Sequence, residues 1–399
     1  MLRIIAPSFY WQQETPERMK QIEIQTWDIF CRVIDNYGDI GVCWRLARQL
    51  ANEYPFQVRL WVDELTALTQ IWPSARVCEQ QQLENVDVRI WQDDFDPATR
   101  PADVVIEAFA CDLPDSYLAA MKQRTTPPHW FNLEYLSAED WVEGCHGLAS
   151  PHPQLGLKKT FFFPGVTAKT GGLLKERDLL DKGEAFSQNS DAREQFLEKL
   201  GVEAKPDELI ISLFGYENGA VGSLIDAWSQ SSTPVLCLVP ASKILPSINL
   251  AISQNLKVGD TFNKGALRLH VIPFISQTDY DLLLWACDFN FIRGEDSFVR
   301  AQWAAKPFVW HIYPQDEDFH MVKLDAFLQH YLGGLDPITQ DAITRLWHHW
   351  NHNQDCLDAW NTCLTNLQNW QKHGQKWRQH LNSLGDLASN MVHFCQKTL

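Results

Sequence analysis

No apolar run in the chain approaches the roughly 18–20 residues that a bilayer-spanning helix requires, so no membrane association is expected. No C-x-x-C pair occurs either. The ten cysteines lie at irregular spacings, and in a chain this long they read as reduced core residues rather than a zinc ribbon or a disulfide framework. That usage fits a cytoplasmic protein. Positive charge is scarce: 34 Lys and Arg stand against 50 Asp and Glu, for a net charge of −16. Such a field repels a phosphate backbone, which excludes nucleic acid as the expected partner, and attracts a basic protein or a cationic side chain. Residues 1–10 hold one Arg and a brief apolar stretch without a small-residue cleavage site, and are not read as a signal peptide. The residues before Thr26 are expected to form a loosely attached extension.

What is present is a globular chain, with 45% apolar and 21% charged residues over a length of 399 that predicts two or three domains. The seventeen tryptophans are expected mostly in the core. Trp347, Trp350, Trp360, Trp370 and Trp377 recur at helical spacing, which reads as a packing stripe rather than sugar-stacking platforms. In the first half, strand-like runs at 27–34, 56–62, 86–91, 103–108 and 130–133 alternate with helical stretches at 42–52 and 65–71, the pattern of parallel βαβ units. Residues 148–188, with Pro151, Pro153, Pro164, Gly165, Gly171 and Gly172 before a charged run, read as a domain boundary. The alternation then restarts, with strands at 209–214, 235–239, 267–272, 288–292 and 308–311 and helices at 191–200, 220–229, 279–287 and 297–305. Beyond Asp336 the pattern is helical throughout. The expected class is α/β, with two successive Rossmann-like units and a helical tail.

Three strand-end segments carry candidate chemistry. The loop Asp35-Asn36-Tyr37-Gly38-Asp39-Ile40-Gly41 follows the first strand, where ligands sit in an open parallel sheet. It is not the G-x-G-x-x-G of a dinucleotide cradle. Its two carboxylates read equally well as a helix cap with a turn former, or as a general base or cation site. The second segment, Arg293-Gly294-Glu295-Asp296-Ser297, opens a helix; Asp296 or Ser297 reads as an N-cap, and the exposed N–H groups together with Arg293 suit a diphosphate. Glu295, an anion, fits sugar hydroxyls better than phosphate. The third is Pro273-Phe274-Ile275-Ser276-Gln277, where Phe274 is placed to stack on a base whose edge Gln277 reads, with Phe214 or Tyr216 on the opposite face. His348, His349, His352 and Cys356 form a weak metal pattern, more consistent with a solvated helix face. No G-x-S-x-G elbow is present.

In this order, the acidic loop, the Phe274/Gln277 segment and Arg293–Ser297 with Gln302, Pro307 and Tyr313 resemble the protein-arginine rhamnosyltransferases of bacterial elongation factor P. The resemblance covers nearly the whole chain after its first two dozen residues. It implies a GT-B fold with the active site between two Rossmann-like domains: 26–185 facing the protein acceptor, 190–380 holding the nucleotide sugar, and a helix at 381–399 packing back on the first. It implies TDP-β-L-rhamnose as donor, the arginine of elongation factor P as acceptor, inversion at the anomeric carbon, and no metal or other cofactor. Asp39 would be the base, Asp35 its orienting partner, and Glu295 the holder of the sugar end. Asn36, Tyr37, Gly38, Phe214, Tyr216, Phe274, Gln277, Arg293, Asp296, Ser297 and Tyr313 would bind the donor. Two other readings of the same residues are another GT-B nucleotide-sugar enzyme, either an epimerase or a small-molecule glycosyltransferase, and a non-catalytic nucleotide-sugar sensor.

Overall fold

The structure, a computed structural model, describes residues 25–34, 37–92 and 95–398. Strand β1 (Thr26–Cys31) is buried along its length rather than on alternate residues, as expected for a central parallel strand covered on both faces. It is followed by α1 (Gly38–Glu53), β2 (Gln57–Val62), α2 (Thr66–Ile71), β3 (Gln80–Leu83), β4 (Val86–Ile90), β5 (Val104–Ala108), α3 (Asp115–Gln123), β6 (His129–Leu133), α4 (Val142–Cys145), β7 (Ala149–Pro151) and β8 (Lys158–Phe162). These strands form one sheet in the order β3-β4-β2-β1-β5-β6-β8-β7. The edge strands β3 and β7 are antiparallel; the parallel strands between them follow the Rossmann order, which reverses direction between β1 and β5.

After α5 (Leu179–Gln188) and α6 (Ser190–Lys199) the same plan repeats with β9 (Leu209–Leu213), α7 (Val221–Ser229), β10 (Val235–Pro240), α8 (Leu245–Ile252), β11 (Thr261–Lys264), β12 (Leu267–Ile272), α9 (Gln277–Ala286), β13 (Phe289–Arg293), α10 (Glu295–Ala304) and β14 (Phe308–His311). The second sheet runs β11-β12-β10-β9-β13-β14, and its direction reverses between β9 and β13. The expected class, two Rossmann-like units, is therefore the one observed. The hairpin strands β3, β7 and β11 carry the sequences QQQL, ASP and TFNK, which have no apolar run to announce them. The first strand stops at Cys31 rather than reaching residue 34, and α5 occupies part of the stretch that reads as a boundary.

The tail is helical: α11 (Phe319–Tyr331), α12 (Pro337–Asn351), α13 (Leu357–Thr365), α14 (Leu367–Ser383) and α15 (Leu387–Thr398). Its tryptophans are core residues. Trp360 and Trp370 meet Phe289 at 4.9 and 5.2 Å between ring centroids, Trp350 meets Phe291 at 5.0 Å, and Trp347 meets Phe308 at 5.3 Å. Helix α15 returns to the first sheet, with the Phe394 ring 5.7 Å from Phe131. Among the described residues no helix is long and apolar enough to cross a membrane.

Helix α1 joins the two halves. Its buried residues are mostly apolar, with Asp39, Arg45 and Gln49 the exceptions, and Arg45 is only 2% exposed. The guanidinium reaches Asp296 at 2.8 Å, Asp281 at 3.2 Å and Glu176 at 3.4 Å, and Arg300 pairs with the same Asp281 and Glu176. Burial alone would raise the Glu176 carboxyl, but Arg300 and Arg45 outweigh it and hold the group below the usual carboxylate range. Such a network fixes geometry more than it adds stability, because each charge depends on partners that replace its water.

Candidate active site

The direction reversals of the two sheets face each other, and the carboxyl ends of their strands enclose a cleft. In open α/β sheets this crevice is where ligands bind. Tyr37 and Gly38 line it from the β1–α1 turn, Phe214 and Tyr216 from the end of β9, and Phe274 and Gln277 from the end of β12. Arg293, Glu295, Asp296 and Ser297 line it from the junction of β13 and α10. The structure thus gathers residues more than two hundred and fifty positions apart around about 690 Å³ of space, part of it open to solvent. Asp35 and Asn36 lie outside the described residues.

Asp39 stands in the first turn of α1, but it does not cap that helix. The N-cap position is Tyr37, which makes no side-chain cap. The Asp39 carboxylate instead accepts the Ile34 N–H on Oδ2 at 2.9 Å and the Tyr135 hydroxyl on Oδ1 at 3.0 Å. It is therefore buried behind the turn rather than open to the cleft.

The second acid, Glu295, begins α10, whose N-cap is Gly294 at φ 70°. This corrects the reading of Asp296 or Ser297 as the cap: the helix starts earlier because glycine alone takes that left-handed turn at little cost. Glu295 accepts the Leu136 N–H at 3.1 Å. Burial pushes its carboxyl up to about 8; the Leu136 hydrogen bond opposes the shift and Asp39 adds to it. At neutral pH Glu295 is thus mostly a neutral acid, which removes the repulsion between this residue and a diphosphate.

The rest of the lining from the second sheet is cationic and aromatic. The Arg293 guanidinium lies 4.6 Å from the Phe214 ring and 4.8 Å from the Tyr216 ring, contacts that hold the charge in place through the faces of both rings. Burial, with Arg293 nearby, lowers His311 to about 3, so its ring is neutral and Nδ1 accepts the Tyr216 N–H at 3.2 Å. Lys243 also lines the cleft, 5.9 Å from the Tyr216 ring. Phe274 leans across to Tyr37, with ring centroids 4.8 Å apart. Gln277 donates Nε2 to the Gly41 carbonyl at 3.0 Å and to Asp296 at 3.1 Å. Its Oε1 is buried without a partner among the described residues.

Two expected donor ligands have other neighbours. The Asp296 oxygens are engaged by Arg45 and Gln277, so this residue anchors α10 to α1. Tyr313 does not line the cleft; it is exposed and packs edge-on against Tyr216 at 5.6 Å. Arg45, Tyr135 and Lys243 lie outside the three segments that the sequence singles out. Arg45 had a usable signal, a charge set among the apolar residues Val42, Cys43, Trp44 and Leu46 of α1. Tyr135 lies two residues beyond β6, at a strand's carboxyl end. Among the described residues no His, Cys, Asp or Glu group forms a candidate metal site, and His348 is paired with Asp325 at 2.7 Å.

Residues 27–396 match the family model described as Elongation-Factor P (EF-P) rhamnosyltransferase EarP. A protein-arginine rhamnosyltransferase of Pseudomonas putida is 51% identical over 94% of this chain and 99% of its own. One from Shewanella oneidensis is 41% identical over 93% of this chain and 98% of its own. A solved structure concerned with EarP-mediated arginine glycosylation of translation elongation factor EF-P is 38% identical. It covers 94% of this chain and 100% of that chain, with a TM-score of 0.69. A Rickettsia africae glycosyltransferase, 11% identical over 94% of this chain and 98% of that chain with a TM-score of 0.51, shares the fold alone.

Proposed function

The chain belongs to the elongation factor P rhamnosyltransferase family of GT-B glycosyltransferases, and from that premise we propose that it moves L-rhamnose from TDP-β-L-rhamnose to an arginine nitrogen of elongation factor P. The observation that carries the reading is a pair of acids from the two halves, Asp39 buried behind the β1–α1 turn and Glu295 lining the cleft, which the adjacent residues Tyr135 and Leu136 touch in turn.

In this reading a guanidinium nitrogen attacks the anomeric carbon from the side opposite the diphosphate. The C–O bond to TDP breaks with its electron pair going to the diphosphate, and the nitrogen's proton passes to the Asp39 carboxylate. A guanidinium is a weak nucleophile, its charge delocalised and its pKa above about 12, so removing a proton during attack matters. Asp35 would orient the guanidinium fork. Arg293, Ser297 and the amides at the start of α10 receive the leaving charge without a metal. Neutral Glu295 offers an O–H to the sugar end of the donor. Phe274, Gln277 and the Phe214/Tyr216 pair hold thymine, with Gln277 Oε1 an acceptor for its imide N–H. Tyr37 and Gly38 line the cleft from the acceptor side, and with Asn36 they would contact the donor.

In-line attack inverts the centre. One-bond carbon–proton coupling at the anomeric carbon of the product should therefore report an α-linked rhamnose. A β-linked product would require a double displacement and would overturn this mechanism.

A further inference from the structure

The stretch that follows β5 takes left-handed backbone at three non-glycine residues, Phe109 (φ 56°), Ala110 (51°) and Asp112 (55°). Such conformations are costly and persist only where the surroundings enforce them. Here the Phe109 N–H donates to the Leu133 carbonyl at 2.7 Å, the Ala110 N–H to Asn132 Oδ1 at 3.2 Å, and the Cys111 N–H to the Ala108 carbonyl at 3.2 Å. The turn stands beside β1, where the first sheet reverses direction. Its outcome is to lay the Phe109 ring flat on Tyr135, with centroids 4.3 Å apart and planes 15° from parallel.

The next contact of Tyr135 is Asp39, the acid behind the β1–α1 turn. Its hydroxyl donates to Asp39 Oδ1 at 3.0 Å, while the Ile34 N–H occupies Oδ2 at 2.9 Å. The following residue, Leu136, gives its N–H to Glu295 at 3.1 Å. One short segment therefore touches both carboxylates. It is itself pinned to the sheet by the Glu134 N–H on the Phe162 carbonyl at 3.0 Å.

We propose that Tyr135, locked in place by Phe109, is a positioning residue that fixes the rotation of the Asp39 carboxylate for proton removal. The inference rests on the reading of Asp39 as the base. A carboxylate held at one oxygen only is free to swing about its Cβ–Cγ bond. Hydrogen bonds to both oxygens fix its plane, and with it the direction in which a lone pair meets the incoming nitrogen. The strained turn is the device that makes this hold rigid: Tyr135 is partly exposed, and without the Phe109 ring beneath it the side chain would sample other rotamers.

The test compares Tyr135→Phe, Asp39→Asn and the double variant in steady-state transfer to elongation factor P, with TDP affinity measured by calorimetry. Tyr135→Phe keeps the ring on Phe109 and loses only the hydroxyl. Its kcat should fall by about 10- to 100-fold, the scale of a misaligned catalytic group, with KM for TDP-rhamnose and TDP affinity unchanged. Phe109→Leu should lower kcat in the same way, and Phe109→Tyr, which keeps the platform, should restore it. In the Asp39→Asn background the Tyr135→Phe change should cost nothing further, because a residue acting through Asp39 has nothing left to position. A Tyr135→Phe enzyme with wild-type kcat, alongside an inactive Asp39→Asn enzyme, overturns the proposal and leaves the base assignment standing. Multiplicative losses in the double variant also overturn it. Normal turnover by Asp39→Asn overturns the underlying reading instead.

Discussion

Replacing Glu295 with glutamine fixes in place the neutral form that burial already favours. The amide oxygen can go on accepting the Leu136 N–H that now reaches Oε2 at 3.1 Å, and the NH₂ group takes over from the acid O–H as a donor. The magnitude follows from the raised acidity constant. With the carboxyl at about 8, the protonated fraction is ~0.9 at pH 7 and ~0.1 at pH 9, because one pH unit is a factor of about ten in the ratio of the two forms. If the neutral acid is the competent form, kcat/KM for TDP-rhamnose in the wild-type enzyme falls about tenfold across that interval, since this parameter reports groups of the free enzyme. The acceptor guanidinium, with a pKa above about 12, does not titrate there. Glu295→Gln should keep measurable activity and lose this limb, giving a level profile from pH 7 to pH 9. A bound diphosphate adds negative charge beside Glu295 and so moves the limb in kcat to higher pH than the limb in kcat/KM. The reasoning is refuted if Glu295→Gln binds TDP normally yet is inactive at every pH. The site would then require the anion, and the neutral acid inferred from burial would be the resting form only.

Phe274→Ala should weaken TDP binding by about 1–3 kcal/mol, the scale of base–aromatic stacking; unchanged affinity by calorimetry in the folded variant would remove Phe274 from the donor site. Exhaustive EDTA treatment should leave transfer intact, because Arg293 and the start of α10 are placed to neutralise the leaving diphosphate; activity lost and then restored by Mg²⁺ would make the acidic loop a metal site. Arg45→Met leaves Asp296 without its cation and Asp281 and Glu176 with Arg300 alone, and should cost about 3–5 kcal/mol in urea unfolding. A loss near zero would mean that water already serves those carboxylates.

The two-unit architecture was legible because its central strands are covered on both faces and appear as largely apolar runs, continuous in Val235–Pro240, separated by helical spacing. The edge hairpins were not, since a polar strand such as Thr261–Lys264 owes its conformation to the neighbour it pairs with. At the site, the strand-end rule pointed to Phe214, Phe274 and Arg293 because ligand contacts in this topology come from residues just past a strand. It could not show that Asp296, which lines the cleft, is also held by Arg45, a contact between positions far apart in the chain. The same holds for the Tyr135–Asp39 hydrogen bond, which depends on a left-handed turn at Phe109 that no glycine or asparagine marks in the sequence. The start of α10 lies two residues before the expected 297 because Gly294, rather than a side-chain cap, begins the helix.

The most direct test of the central claim is the intact mass of purified elongation factor P after incubation with TDP-β-L-rhamnose and either the wild-type enzyme or Asp39→Asn. With the wild-type enzyme, elongation factor P should gain the mass of a single deoxyhexose, located by fragmentation on one arginine. With Asp39→Asn the gain should appear about 10²–10⁴ times more slowly, the range for losing a general base, while TDP-rhamnose binding to the variant stays normal. An unchanged mass with active donor turnover would make this a different nucleotide-sugar enzyme, and a normal rate with Asp39→Asn would take the base away from the acidic loop.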